Sequence, residues 1–197
     1  MTAIDSLRAA VSQLDAAGVR YALVGGLAVS VRSEPRFTRD ADVAVAVATD
    51  PEAESVVRAL LHAGFISSMT VEQQATGRLA TVRLTPDAAP DTSFVDLLFA
   101  SSGIEPEIVD GASPLEIIPG VFVPVASTGH LIATKLLSES PERFQDGADL
   151  LSLLRVADKS DLETVEVAIA LITSRGTNRG KDLGSVLRRY QELARRA

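Results

Sequence analysis

Tyr21-Ala-Leu-Val-Gly25-Gly26-Leu-Ala-Val29 and, after a short loop, Arg36-Phe-Thr38-Arg39-Asp40-Ala-Asp42-Val-Ala-Val-Ala-Val47 form the stretch whose reading decides the fold. An apolar run ends at two glycines, and a segment compatible with a short helix (27–31) follows. After thirteen intervening residues (27–39), a second strand-like run opens on alternating carboxylates. Successive side chains of a strand point to opposite faces, so Asp40 and Asp42 share one face. Neighbouring carboxylates repel, and a cation between them relieves that cost. Mg²⁺ is suited, because it binds through one or two carboxylates together with substrate phosphates.

Glycine tolerates positive φ and close approach of a ligand to the backbone. Gly25 and Gly26 stand where a strand gives way to a helix, and such a helix start presents amides and a dipole to an anion. A phosphate cradle followed by a metal-holding Asp-x-Asp suits phosphoryl chemistry on a nucleoside triphosphate. Taken singly, each piece has a plainer reading. A Gly-Gly pair makes a turn, and an Asp-x-Asp decorates many solvated surfaces.

Outward from this stretch, Ile4, Leu7, Val11 and Leu14 carry the spacing of an amphipathic helix stopped at Gly18. Thr49 or Asp50 caps a helix with Pro51 in its first turn, closed by Gly64. Strands are expected over 65–70, 78–84 and 94–99, with a loop from Pro86 to Pro90 and a short helix over 104–110. A hairpin follows around Pro119-Gly120. Past Val125 the alternation ends, and helices are expected over 128–138, 146–157, 161–174 and 179–196.

Composition limits the chemistry. The chain of 197 residues can bury one sizeable core. With no cysteine, disulfides, thiolate metal sites and Cys nucleophiles are excluded. His62 and His130 are the only histidines, which disfavours His-rich zinc chemistry and leaves hard oxygen ligation. No apolar run approaches the roughly 20 residues of a membrane helix, and the opening Met-Thr-Ala-Ile-Asp lacks the pattern of a signal peptide. A cytoplasmic location is expected. The net charge is −7, unevenly spread: from Ser174 onward seven basic residues face two acidic ones, +5, leaving −12 on the rest. A basic C-terminal helix on an acidic body can steer an RNA acceptor or bind an acidic partner; equally, basic residues favour helix ends and surfaces.

The motifs resemble those of the nucleotidyltransferase superfamily with a DNA-polymerase-β-like core. Its signature is an apolar residue, Gly, Gly or Ser, a spacer, then Asp-x-Asp or Asp-x-Glu. The Arg-x-Thr-x-Asp-x-Asp form, Arg36 to Asp42, is most similar to the AbiEii/AbiGii-type toxin nucleotidyltransferases. Ile132-Ala-Thr-Lys135-Leu-Leu-Ser138 resembles that family's apolar-x-x-Lys-x-x-Ala/Ser helix, and Arg143-Phe-Gln-Asp146-Gly-Ala-Asp149-Leu150 its Arg-x-x-Asp-x-x-Asp-Leu segment. The likeness runs from about Tyr21 to Leu154. Three departures stand beside it: Gly-Gly replaces Gly-Ser, the chain is shorter than many of the family, and no further C-terminal motif is found.

The end of the alternation at Val125 divides the chain into an α/β core over 1–125 and a helical subdomain over 126–197, and the resemblance implies an α/β (α+β) fold with a mixed sheet and flanking helices. It implies transfer of an NMP from an NTP to a tRNA 3′ end or a protein side chain, with Mg²⁺ held by Asp40 and Asp42. It also implies a cognate antitoxin. Gly25 and Gly26 would offer amides to the phosphates, with Arg36, Arg39 and Lys135 balancing charge and Thr38 within the nucleotide-binding motif. Asp96 would complete a carboxylate triad and help deprotonate the acceptor; alternatively it is an edge carboxylate bonded to a loop amide. Lys135 would reach phosphate, or it snorkels over a core helix. Asp149 would orient Lys135, while Asp146 either joins it or caps its helix. The same core would serve a nucleotidyltransferase inactivating an aminoglycoside or lincosamide, or a catalytically silent binding module.

Overall fold

Local signals in the sequence become elements in chain order. The computed structural model describes residues 2–88 and 93–196. Helix α1 (Ala3–Ala16) begins with a capping box: Thr2 accepts from the Asp5 amide, and the Asp5 carboxylate accepts from the Thr2 amide. Its buried stripe of Leu7, Ala10, Val11 and Leu14 packs on the sheet. Strand β1 (Tyr21–Val24) leads directly into α2 (Gly25–Arg32), and β2 (Asp40–Val45) returns. Thr49 caps α3 (Asp50–His62), with Pro51 in its first turn.

Strands β3 (Phe65–Glu72), β4 (Leu79–Pro86) and β5 (Phe94–Leu98) follow, then α4 (Glu105–Asp110). Of the loop expected over Pro86–Pro90, Pro86 instead ends β4, while Ala89 and Pro90 lie outside the described residues. The hairpin β6 (Ser113–Ile118) and β7 (Val121–Val125) precedes four helices: α5 (Thr128–Ser138), α6 (Phe144–Val156), α7 (Lys159–Ser174) and α8 (Leu183–Arg196). The last helix starts four residues later than expected. Arg179 and Gly180 both take positive φ, 55° and 70°, which no α-helix accommodates, so the chain turns there before α8 begins.

The seven strands form one mixed sheet in the order β3-β4-β5-β2-β1-β7-β6. β2 pairs antiparallel with β1 and parallel with β5, which itself runs antiparallel to β4. A parallel pair requires a long crossover, here supplied by α3 and the β3–β4 hairpin. Asp-bearing β2 therefore lies in the middle of the sheet, where β1 and β5 flank it. One continuous cluster of buried apolar residues runs from Leu7 through the strands to Leu150, Ile172 and Tyr190. Among the described residues no helix is long and apolar enough to cross a membrane.

Candidate active site

Strand register aligns the chemistry. Val24 stands opposite Asp42, Asp42 opposite Asp96, and Asp96 opposite Arg83, so these residues form one row across β1, β2, β5 and β4. Cross-strand neighbours share a face, which brings Asp42, Asp96 and Arg83 together, with Asp40 two residues along β2. Asp96 is not an edge carboxylate. Arg83 clasps it with two bonds, Nε to Oδ1 at 2.8 Å and Nη2 to Oδ2 at 2.7 Å, and reaches Asp40 Oδ2 at 3.4 Å. The bond to Asp96 holds the Arg83 guanidinium above its usual pKa, against the opposing effect of burial.

Asp42 is in a different state. No hydrogen bond or ion pair reaches its carboxylate among the described residues. Burial first, then the charge of Asp96, push its pKa up to about 6; Asp40 adds to this, and Lys135 and Arg83 partly offset it. Its carboxylate lies against the turn into α2. A Cβ on Gly25 would sit 1.8 Å from Asp42 Oδ2, and Gly25 has φ of 63°, so only glycine suits this position. A Cβ on Gly26 would meet Arg36 Nη2 at 2.6 Å and Thr38 Oγ1 at 3.1 Å. No side chain caps α2, which leaves its first-turn amides for a ligand or water.

Thr38 hydrogen-bonds locally to the Asp40 backbone, fixing the entry into β2. Arg36, expected to balance phosphate charge, is instead locked onto Asp149 by two bonds of 2.7 and 2.8 Å. Arg39 is exposed, makes no side-chain bond among the described residues, and is not part of the cleft wall.

On the opposite wall, α5 aims Lys135 at α6. Its ammonium lies 2.6 Å from Asp146 Oδ1 and 2.7 Å from Asp149 Oδ2, all three side chains being buried. Asp146 is therefore an ion-pair partner rather than the cap of α6, whose N-cap residue is Arg143. Arg143 Nε stands 2.9 Å from Asp146 Oδ2, near enough for charge pairing, yet that oxygen has no aligned hydrogen bond. Burial raises the Asp149 carboxyl, but the bonds from Arg36 and Lys135 outweigh it and leave it below its ordinary value. Removing one member of such a buried network costs about 3–5 kcal/mol, because a charge is left without its partner.

Between these walls lies a cleft of about 300 Å³ with Asp42, Asp96 and Arg83 on its floor and Lys135 on its side. Its far end, which the sequence did not announce, is built by the Ser102–Glu105 turn and by Arg143 and Arg179. Glu105 is buried and accepts from the Ser102 amide at 2.6 Å and the Gly103 amide at 3.0 Å, so it holds this turn in place. Arg83 carries no motif in the sequence: it is a single cation in the apolar alternation of β4, and only strand order reveals that it faces Asp96.

Among the described residues no three His, Cys, Asp or Glu side chains form a ready metal cage, since Asp96 is turned to Arg83. The donors that remain are Asp40 and the unpaired Asp42, hard oxygens beside an uncapped helix start. Two carboxylates plus substrate phosphates are the mode Mg²⁺ favours, so the residues present fit that ion when it arrives with a triphosphate.

The fold is shared with solved nucleotidyltransferases at low identity. A lincosamide antibiotic adenylyltransferase, LnuA, bound to lincomycin, is 16% identical with a TM-score of 0.51, covering 79% of this chain and 99% of its own. ANT(2″)-Ia, in complex with adenylyl-2″-tobramycin, is 15% identical with a TM-score of 0.58, covering 88% and 98%. A solution structure of the same antibiotic-resistance factor is 20% identical with a TM-score of 0.51, covering 86% and 90%. No curated protein matches the sequence. A family model described as nucleotidyl transferase AbiEii toxin, type IV TA system, matches residues 9–196, nearly the whole chain. The chain belongs to the AbiEii family of nucleotidyltransferase toxins and is a nucleotidyltransferase.

Proposed function

We propose that this protein transfers an NMP from an NTP to a tRNA 3′ end or a protein side chain, as the toxin of a toxin–antitoxin pair acting in the cytoplasm. The observation that carries the reading is Asp42: a carboxylate without a partner among the described residues, raised in pKa, lying against the uncapped start of α2 and two residues along β2 from Asp40. Asp40 and Asp42 would hold Mg²⁺, which when bound screens the charge of the triphosphate. Gly25, Gly26 and the first-turn amides of α2 receive phosphate oxygens. Lys135, fixed by Asp146 and Asp149, places a positive charge on the side wall where negative charge develops.

The acceptor hydroxyl attacks the α-phosphorus in line. A new O–P bond forms, the bond from α-phosphorus to its bridging oxygen breaks, and pyrophosphate leaves with that electron pair. Asp96 would take the hydroxyl proton once released by Arg83, which now bonds both of its oxygens.

The test is incubation of purified protein with each α-³²P-labelled NTP, Mg²⁺ and total tRNA, beside a control without RNA. Label on RNA establishes a tRNA nucleotidyltransferase and names the base, while label on protein alone establishes NMPylation. Asp40→Ala, which removes a half-exposed side chain, is expected to abolish transfer with an unchanged melting curve. Full transfer by that variant, or no label from any NTP on either acceptor, overturns the proposal.

A further inference from the structure

Two pentapeptides far apart in sequence have the same composition: Ser33-Glu-Pro-Arg36-Phe37 and Ser140-Pro-Glu-Arg143-Phe144. They play the same part in the structure. Each is a Pro-containing connection, the first leading into β2 and the second running into the first residue of α6, and Arg143 of the second lines the cleft. In each, the arginine turns inward to a carboxylate of α6, Arg36 to Asp149 and Arg143 to Asp146, and these two carboxylates share Lys135. In each, the phenylalanine that follows is left in solvent, Phe37 at 83% and Phe144 at 86% exposure. The chain has six phenylalanines, and these two are the most exposed large apolar residues among those described.

Exposing a whole aromatic ring forfeits the burial that makes phenylalanine favourable in a fold. Neither ring belongs to an apolar patch in its own segment: the neighbours are Ser, Glu, Pro, Arg, Thr and Gln. Protein docking sites centre on packed anchors ringed by further apolar contacts, and the exposed apolar cluster of that kind, Ile66, Met69 and Val71, lies elsewhere, on β3. Isolated rings flanked by guanidinium groups are how proteins hold unpaired bases, by stacking on the ring and pairing cations with the phosphates. Cations are at hand: Arg39, two residues from Phe37, is exposed and unpaired, and the Arg143 side chain keeps 59% of its surface.

We propose that Phe37 and Phe144 are two stacking platforms that receive the unpaired terminal bases of a single-stranded RNA end and feed its 3′ hydroxyl into the cleft. This deepens the reading of the cleft as a site of nucleotidyl transfer and rests on it. It predicts an acceptor with at least two unstacked bases at its end, recognised by ring stacking and therefore with little base preference.

The test uses the full chain and a fluorescein-labelled single-stranded RNA ending in CCA, with affinity read by anisotropy in the absence of NTP. In parallel, the thermal shift produced by Mg²⁺ and NTP reports the cleft. Phe37→Ala and Phe144→Ala are each expected to weaken RNA binding about 5- to 100-fold and to leave the nucleotide shift in place. Phe37→Leu and Phe144→Leu, which keep apolar bulk without the ring, are expected to weaken it nearly as much. Wild-type protein that shows the nucleotide shift but binds no RNA overturns the inference and leaves transfer to another acceptor standing. Alanine variants that bind RNA as wild type does also overturn it, as does recovery by leucine, which indicates an apolar protein contact. Absence of the nucleotide shift in wild type strikes the transfer reading instead, while the RNA affinities still decide the platforms.

Discussion

Replacing Asp42 by asparagine removes one charge from a place where the fold holds it at a cost, and that cost has a defined pH dependence. The pKa of Asp42 stands at about 6 instead of 3.8, chiefly through burial and the neighbouring Asp96. The unfolded chain releases this proton near 3.8 and the native chain keeps it to about 6. Between those values the native state binds more protons, so stability falls as pH rises, and above about pH 7 the loss is complete. At 1.36 kcal/mol per pH unit the full difference is about 3 kcal/mol. An asparagine amide has no proton to lose in this range, so Asp42→Asn is expected to match wild type near pH 4 and to exceed it by about 3 kcal/mol at pH 7.5. For a domain of this size that is about 6–12 °C in Tm. Calorimetric melts at several pH values between 4 and 8, with EDTA present, measure the difference directly. A variant less stable than wild type at pH 7.5, or a difference that does not change with pH, refutes the assignment of Asp42 as an unpaired carboxylate whose surroundings disfavour its charge.

Two further substitutions probe the same row of residues. Arg83→Met leaves Asp96 and Asp40 without their cation, so the metal-free protein should lose about 2 kcal/mol, while Mn²⁺ binding followed by isothermal calorimetry should tighten several-fold. Unchanged or weaker Mn²⁺ binding shows that Arg83 does not hold Asp96 in the place of a metal. Gly25→Ala drives a Cβ to within 1.8 Å of Asp42 Oδ2 at a φ of 63°, so both Tm and labelled-NMP transfer should fall, transfer by roughly 100-fold or more as the carboxylate shifts. Wild-type transfer by that variant means that the close approach of Gly25 to Asp42 is not needed.

Much of the site was legible because local rules dictate it. Gly25 ends a strand and starts an uncapped helix, and Asp40 and Asp42 alternate onto one face. Asp96 interrupts an apolar strand, and Lys135 stands as a lone cation on a mostly apolar helix. Other assignments needed more than spacing. Arg36 falls in the motif as a phosphate ligand, yet its guanidinium is taken by Asp149, 113 residues away. Asp146 lies near enough to the start of α6 to be read as its cap, but the buried ammonium of Lys135 draws it inward. The basic tail is likewise partly tied down: Arg175 pairs with Glu107, Arg189 with Glu139, and Lys181 bonds the carbonyl of Leu137. Less of its charge faces solvent than the residue count suggests.

The amino-acid sequence by itself determined the succession of strands and helices, the carboxylates of β2 and the glycines before them. These depend on periods of two and 3.6 residues and on backbone freedom, all properties of neighbours in the chain. Tertiary structure alone decided that β5 pairs with β2 and β4 with β5, and thereby that Arg83, Asp96 and Asp42 meet in one row. Strand order and ion-pair choice depend on which surfaces pack together and on the energy of leaving a buried charge without a partner, and neither is carried by the spacing of residues along the chain.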